Sequence, residues 1–214
     1  MTDGNIIKIK LILIGEQFVG KTCIINRYID KKYVENPGST IGSNYTTKKI
    51  KIEDINNEIL LDIWDTAGQE VYRSFVKLFY NEAKIAILVY DITDKKSFDE
   101  IKNYWYNEIK SFNNNIIIGI AGNKSDLIDK EEVNENEARQ YAKEINAVFR
   151  LTSALSNIGI EELILELVKK YINENKDKKN FYEDKSIYDK SYILDKESSI
   201  SNSNDIKKKK KKCC

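Results

Sequence analysis

The chain contains no histidine, a single proline and only three cysteines among its 214 residues. The absence of histidine excludes a Ser-His-Asp hydrolase and every zinc site that depends on imidazole ligands. Cys23, Cys213 and Cys214 are too few for a disulfide framework, and the lone Pro37 excludes a proline-rich linker. The sequence therefore belongs neither to the histidine-dependent hydrolases nor to the small disulfide-bonded domains.

Long apolar runs are also lacking. No uncharged apolar stretch approaches the ~18 residues that a membrane-spanning helix requires. The first residues, MTDGNIIKIKL, have no basic region followed by an apolar one, and Thr2 stands where N-myristoylation requires glycine. We therefore expect a protein that is made in the cytosol, with a length that suits one domain and an appendage.

Charge is balanced over the whole chain but not along it. There are 35 lysines and arginines against 34 aspartates and glutamates, which gives a formal net charge of +1. Six of the lysines form one run, Lys207–Lys212, so the rest of the chain has 29 basic residues against 34 acidic ones. Nucleic acid would repel this acidic body, so no nucleic-acid partner is expected. Any attraction to an anionic membrane must come from the tail.

Short apolar runs alternate with longer amphipathic ones. Apolar spacing predicts helices over 134–146 and 160–171, and Asn134 with Glu137 resembles an N-terminal capping pair. Residues 46–64 predict a hairpin, which adds one antiparallel edge strand. The alternation predicts an α/β fold with a mostly parallel central sheet and helices on both faces. The other predicted strands span residues 7–15, 58–64, 84–91, 115–122 and 147–153.

The chain changes character near its C-terminal end. From about Asn173 the sequence is charged and polar and has no sustained periodicity, which is typical of a disordered linker. The composition predicts a flexible N-terminus over 1–6, a folded domain over 7–173, a disordered linker over 174–206 and a basic tail over 207–214.

The first predicted strand leads into GEQFVGKT, which fits the phosphate-loop pattern G-x-x-x-x-G-K-T. Glycines at both ends let backbone N–H groups turn toward phosphate oxygens at the start of a helix. Lys21 is predicted to reach the β- and γ-phosphates, and the hydroxyl of Thr22 to bind Mg²⁺. The candidate phosphate-binding residues are Gly15, Glu16, Gln17, Phe18, Val19, Gly20, Lys21, Thr22 and Cys23.

A second motif, WDTAGQE, follows the next long apolar strand. Asp65 stands where the strand meets a loop, a position suited to holding Mg²⁺ through water. Gly68 can offer its backbone N–H to a γ-phosphate, and Gln69 can orient an attacking water.

Two further motifs, GNKSD and TSAL, indicate which base is bound. The carboxylate of Asp126 can accept hydrogen bonds from N1–H and the 2-amino group of guanine, a donor pair that adenine lacks. The stem of Lys124 can cover the purine ring, Asn123 can bridge the base to the phosphate loop, and the N–H of Ala154 can meet guanine O6. The candidate base-binding residues are Asn123, Lys124, Asp126, Ser153, Ala154 and Leu155.

All four motifs follow predicted strands, and doubly wound sheets bind ligands at the carboxyl ends of their strands. Together they predict a site for GTP or GDP with Mg²⁺. A nucleotide kinase built on the same loop would leave Asn123 and Asp126 unexplained.

With these motifs the chain resembles a small GTPase of the Rab branch of the Ras superfamily, from about Lys8 to Ile172. WDTAGQE and the stretch around residues 40–42 favour Rab, and GSTIGSNYTTKKI and IAGNKSDL resemble the early-endosomal Rab group. The resemblance implies a P-loop GTPase fold and slow hydrolysis of GTP. It also implies that the protein is a monomer.

The resemblance also implies roles for individual residues. Thr40 would reach Mg²⁺ when GTP is bound, Tyr33 would pack edgewise on guanine, and Gln69, Lys21 and Thr40 would serve catalysis. The metal ligands would be Thr22, Thr40 and Asp65. The implied partners are effectors, an exchange factor, a GTPase-activating protein, a prenylation escort and a GDP-dissociation inhibitor.

Read with that resemblance, the ending IKKKKKKCC is similar to a Rab membrane anchor. Cys213 and Cys214 would be the sites of double geranylgeranylation, and two lipid chains anchor more stably than one. The lysine run would add attraction to an anionic leaflet. The protein would then reside on the cytoplasmic face of endosomes or other vesicles, with a cytosolic pool. Taken alone, the lysines would be a solvated or nuclear-targeting cluster.

Four residues depart from the family pattern. Gln17 and Phe18 are larger than the residues usual in Rab phosphate loops, Val71 replaces a usual arginine and Leu155 a usual lysine. Bulk near the γ-phosphate can obstruct the attacking water. The sequence therefore leaves an alternative open, a membrane scaffold that holds GTP and scarcely hydrolyses it.

Overall fold

A computed structural model describes residues 5–34, 43–53, 55–66, 79–177 and 183–184 of the chain. One sheet organises these residues, in the strand order β2-β3-β1-β4-β5-β6, with a short β7 beside β1. The strands are β1 (Asn5–Ile14), β2 (Ser43–Ile52), β3 (Ile55–Thr66), β4 (Ile85–Asp91), β5 (Ile117–Asn123), β6 (Val148–Leu151) and β7 (Glu183–Asp184).

The direction of the strands matches the sequence prediction. Strands β3, β1, β4, β5 and β6 run parallel, while β2 pairs antiparallel with β3 and forms one edge of the sheet. Strands β4 and β5 are buried along their whole length, as expected for strands covered on both faces. The α/β fold with a mostly parallel sheet and one antiparallel edge strand is thereby confirmed.

Helices connect the strands and cover both faces of the sheet. The helices are α1 (Lys21–Asp30), α2 (Lys95–Glu100), α3 (Tyr106–Phe112), α4 (Glu135–Glu144) and α5 (Ile160–Asn175). A π-helical turn, Ile101–Trp105, joins α2 to α3, and a 3₁₀ helix spans Ser125–Lys130.

Each face of the sheet has its own apolar core. One core packs α1 and α5 on the sheet and includes Ile24, Leu163 and Leu167. The other packs the α2–α3 segment and α4 on the opposite face and includes Phe98 and Trp105. The apolar stripe predicted in the last helix lies in the first core, although Tyr171 is only partly buried.

The predicted capping pair of α4 is half right. The side chain of Asn134 accepts a hydrogen bond from the backbone N–H of Asn136 and caps the helix. Glu137 does not bond back to the cap; its carboxylate instead contacts Lys95 and Lys102. A carboxylate beside two ammonium groups gains more from them than from a neutral backbone N–H.

Both ends of the domain differ from the predicted boundaries. Strand β1 begins at Asn5, and its Ile6 is buried, within the segment that was predicted to be flexible. Helix α5 ends at Asn175, past the predicted boundary at 173. The two residues of β7 pair antiparallel with Asn5 and Ile6, inside the predicted linker, because the first residues of β1 offer backbone partners on that side. Among the described residues, no helix is long and apolar enough to span a bilayer.

Candidate functional site

The described residues of the four sequence motifs lie at the carboxyl edge of the sheet. Residues 15–20 follow β1 and lead into α1, and the WDTAGQE motif begins within the last residues of β3. The GNKSD motif begins in the last two residues of β5, and the TSAL motif directly follows β6. The parallel strands thus bring segments more than 100 residues apart in sequence to one place.

Two glycines shape the loop after β1. Gly15 has φ 144°, and a Cβ there would lie 2.2 Å from the Val89 carbonyl oxygen. Gly20 has φ 93°, and a Cβ there would lie 2.4 Å from Nδ2 of Asn123. Both positions therefore need glycine, because any side chain would force the loop off its neighbours.

Lys21 points back into the loop from the first turn of α1. Its Nζ donates to the carbonyl oxygens of Gly15 at 2.8 Å and Glu16 at 2.7 Å. Burial lowers the pKa of Lys21 to about 8, although the carboxylates of Asp65 and Glu16 act in the opposite direction. A further anion beside this amine would favour its charged form, so the pocket suits a phosphate.

Thr22 and Asp65 form the next contact along the site. The Thr22 hydroxyl donates to Oδ2 of Asp65 at 2.7 Å, and Asp65 is only 2% exposed. A hydroxyl and a carboxylate are hard oxygen ligands of the kind that Mg²⁺ prefers. Among the described residues, no three or more His, Cys, Asp and Glu side chains are arranged so that they could hold a metal ion by themselves. Thr22 and Asp65 could supply two oxygen ligands to such an ion.

Asn123 joins the base side of the site to the phosphate side. Its Nδ2 donates to the Val19 carbonyl at 2.8 Å, and its Oδ1 accepts from the Thr152 hydroxyl at 3.3 Å. The side chain is buried. Asn123 thus holds three of the loops in contact.

Asp126 and Lys124 lie on the solvent side of Asn123. The carboxylate of Asp126 accepts a hydrogen bond from the Ser153 hydroxyl, and the side chain is otherwise exposed. Lys124 has a positive φ of 64°, and its Nζ lies 2.5 Å from a carboxylate oxygen of Asp91. Both side chains are placed for contact with a ligand at this edge.

The comparisons with known proteins decide the family. The model of the Ras family matches residues 10–173 of the chain. Over 164 residues the chain is 40% identical to the Ras-related protein Rab-22A of Homo sapiens, which covers 76% of the chain and 83% of the relative. It is 41% identical over 170 residues to Rab-21 of Homo sapiens, covering 79% and 74%, and 43% identical over 164 residues to RabJ of Dictyostelium discoideum, covering 76% and 63%.

The chain belongs to the Rab family of small GTPases. It therefore binds GTP and GDP and hydrolyses GTP, and it is a GTPase of vesicle transport. The similarity to Rab-22A, Rab-21 and RabJ also supports the early-endosomal group to which the sequence pointed.

Several predicted site residues of this Rab protein lie outside the described residues. They are Thr40, Gly68, Gln69, Val71, Cys213 and Cys214. Tyr33 is described; it is 38% exposed, and its ring centroid is 6.0 Å from the guanidinium carbon of Arg27.

Sequence reasoning missed three residues of the Rab site. Arg27 contacts the loop after β6, Asp91 pairs with Lys124, and the buried Trp105 donates its indole N–H to Oε1 of Glu16 at 3.0 Å. A signal existed for Asp91, because it is the polar residue that ends the apolar strand KIAILVYD. Nothing in the sequence indicated the partners of Arg27 and Trp105, which lie 127 and 89 residues away.

Phe18 has an unfavourable backbone conformation in the phosphate loop. Its φ is 63° and its side chain is 74% exposed, so it carries strain and buries little apolar surface. We expect Phe18→Gly to raise the free energy of unfolding by about 1 kcal/mol, because glycine adopts this conformation freely. Phe18→Ala should give no such gain, since alanine keeps the strain. Denaturant unfolding of the nucleotide-free variants would measure both changes, and equal gains would contradict the explanation.

Proposed function

We propose that this Rab protein alternates between GDP- and GTP-bound forms at a magnesium-dependent site, and that the GTP-bound form recruits effectors to a membrane. One observation carries the proposal: the loop after β1 and the end of β5, which carry the predicted phosphate and base motifs, touch. Asn123, beside the base-recognition residues, donates to the Val19 carbonyl of the phosphate loop at 2.8 Å. The same edge then holds phosphate groups through Lys21 and a guanine base through Asp126.

Hydrolysis in this site is attack of water on the γ-phosphorus with GDP as the leaving group. Gln69 orients the water, and Lys21 donates to the phosphate oxygens as negative charge builds on the leaving group. Thr22, Thr40 and Asp65 would hold Mg²⁺, which would offset phosphate charge. No arginine finger is recognisable in the sequence of the domain, so the intrinsic rate should be on the order of 10⁻⁴ to 10⁻³ per second.

Nucleotide selectivity tests the proposal most directly. Purified protein is titrated with GDP, GTP, ADP and ATP in a calorimeter with Mg²⁺ present, and phosphate release from GTP is followed in parallel. The proposal expects strong preference for the guanine nucleotides and slow release that an activating protein accelerates. Equal affinity for adenine and guanine nucleotides would contradict it.

The alternative of a near-permanent GTP-bound scaffold gains no support. The relatives are GTPases of the Rab family, and the Phe18 side chain, which motivated the alternative, lies mostly in solvent. We therefore retain GTP hydrolysis as part of the cycle.

Thr22→Asn tests the magnesium ligand. We expect the variant to fold but to lose about tenfold in GTP affinity with Mg²⁺ present, because the longer asparagine side chain cannot place its carbonyl oxygen where the hydroxyl lies. GDP binding should fall less. Thr47→Asn is the matched control. The Thr47 hydroxyl also donates to an aspartate, Asp62, at 2.8 Å, but this pair lies in strands β2 and β3 and neither of the two is a predicted site residue. Unchanged GTP affinity in Thr22→Asn would remove Thr22 from the ligand set.

The tail is proposed to attach the protein to the cytoplasmic face of endosomal or other vesicle membranes through lipids on Cys213 and Cys214. Replacing both cysteines with serine should move the protein from the membrane to the soluble fraction of its own cells. Replacing Lys207–Lys212 with glutamine should weaken the association only in part, because the lipids remain. Membrane association of the double serine variant at the wild-type level would contradict lipid anchoring. Regulators of the cycle would include an exchange factor, an activating protein, a prenylation escort and a GDP-dissociation inhibitor.

A further inference from the structure

Arg27 lies in the last turn of α1, and its guanidinium group contacts three carbonyl oxygens. Nε donates to Ala154 at 2.7 Å and Nη2 to Leu155 at 2.9 Å. Nη1 donates to Lys31, just beyond the helix, at 2.9 Å. A single side chain thus joins the helix that follows the phosphate loop to the loop that follows β6.

These contacts require an arginine. The guanidinium group is planar and offers its donors in a fixed fork, so one group can serve neighbouring carbonyls at the same time. A lysine would bring one mobile ammonium and could not hold both Ala154 and Leu155 in a fixed orientation. The positive charge also strengthens each bond to a carbonyl oxygen.

The loop held by Arg27 has its own internal contacts on the other side. Ser153 exchanges two backbone hydrogen bonds with Ile158, at 3.0 and 3.1 Å, and the Ser153 hydroxyl accepts from the N–H of Ser156 at 2.9 Å. Ala154 is buried between these contacts and Arg27. Its backbone is therefore fixed from two directions.

We propose that Arg27 is a positioning residue for base recognition: it fixes the backbone of Ala154 and Leu155 so that the Ala154 N–H is directed at guanine O6. The inference rests on the proposed nucleotide site. The same guanidinium group lies 6.0 Å from the ring centroid of Tyr33, within range of a cation–π contact, so it also joins this loop to the aromatic residue expected beside the base.

The test separates the contribution of guanine O6 to nucleotide affinity from the contribution of the 2-amino group. Dissociation constants are measured by competition for GDP, IDP and the diphosphate of 2-aminopurine riboside. IDP lacks only the 2-amino group, which Asp126 is expected to bind. The 2-aminopurine nucleotide keeps that group but lacks O6 and the proton on N1.

In Arg27→Gln we expect the preference for GDP over the 2-aminopurine nucleotide to fall by about tenfold, the worth of one hydrogen bond to O6. The preference for GDP over IDP should stay close to the wild-type value, because Asp126 bonds to Ser153, and Ser153 is held by Ile158 and Ser156 rather than by Arg27. Arg150→Gln is the matched control: Arg150 lies four residues before Ala154 but pairs with Glu166, so both preferences should stay unchanged.

Arg27→Lys keeps the experiment informative if the glutamine variant does not fold. In this variant the preference for GDP over the 2-aminopurine nucleotide should also fall, but by less than in Arg27→Gln. A purely structural role would lower stability and leave both preferences unchanged, which would overturn the inference. So would equal losses in both preferences. If instead the wild-type protein bound ADP as tightly as GDP, the proposed function itself would fail, which is a different result.

Discussion

Asp126→Asn should turn a guanine nucleotide site into a xanthine nucleotide site. The carboxylate of Asp126 accepts from two guanine donors, whereas an asparagine amide brings its own N–H to meet the 2-amino group. Xanthine has an oxygen at that position and can accept from the amide. We expect GDP affinity to fall and xanthosine diphosphate affinity to rise, with a total change in preference of about three orders of magnitude.

The structure indicates that Asp126→Asn will preserve the contact between residue 126 and the loop after β6. Asp126 accepts a hydrogen bond from the Ser153 hydroxyl, and the asparagine carbonyl can accept the same bond. Competition binding with the two diphosphates measures the change. Asp129→Asn, in the same 3₁₀ helix, removes a carboxylate that makes no predicted contact with the base and should leave the preference alone. A variant that still prefers GDP would show that Asp126 does not read the base.

Lys21→Ala should lower the affinity for GTP by about a thousandfold. The ammonium would donate to two phosphate oxygens, and each charge-assisted hydrogen bond contributes about 1.5–3 kcal/mol. The protein should still fold, because the truncation removes a buried charge together with the bonds to the Gly15 and Glu16 carbonyls.

Calorimetry with GTP and Mg²⁺ measures the loss, and circular dichroism confirms folding. Lys10→Ala is the control, since the partly buried Lys10 bonds to the Asn81 carbonyl and stacks on Trp64. GTP affinity within tenfold of wild type in Lys21→Ala would show that the amine binds the loop rather than the nucleotide.

Local patterns in the sequence were sufficient for the fold and for the positions of the four motifs. Alternating apolar runs predicted the parallel strands, and the glycines at 15 and 20 predicted the loop that the structure shows. The contacts between elements were not predictable in this way. Arg27 bonds to Ala154 because the fold places the last turn of α1 against the loop after β6, and no spacing in the sequence records that contact.

Glu137 is a second example of a contact that the local sequence pattern did not predict. Its position three residues after Asn134 favours a capping role, yet α2 brings Lys95 to it and the ionic contact prevails. The π-helical turn at Ile101–Trp105 was equally invisible in the sequence, although it carries the indole that reaches Glu16. Local signals thus predicted which residues lie at the edge of the sheet, while tertiary packing determined which side chains contact them.

The pairing of β7 with the start of β1 has a consequence for how this Rab protein is oriented. Strand β1 is ten residues long, about 33 Å at the rise of a parallel strand, and the phosphate loop lies at its far end. Glu183 and Asp184 lie at its near end, so the last described residues are at the opposite pole of the sheet from the phosphate loop. Any tether attached beyond Asp184 would therefore start from the pole opposite the phosphate loop, and at its point of attachment it would leave the nucleotide-binding edge uncovered.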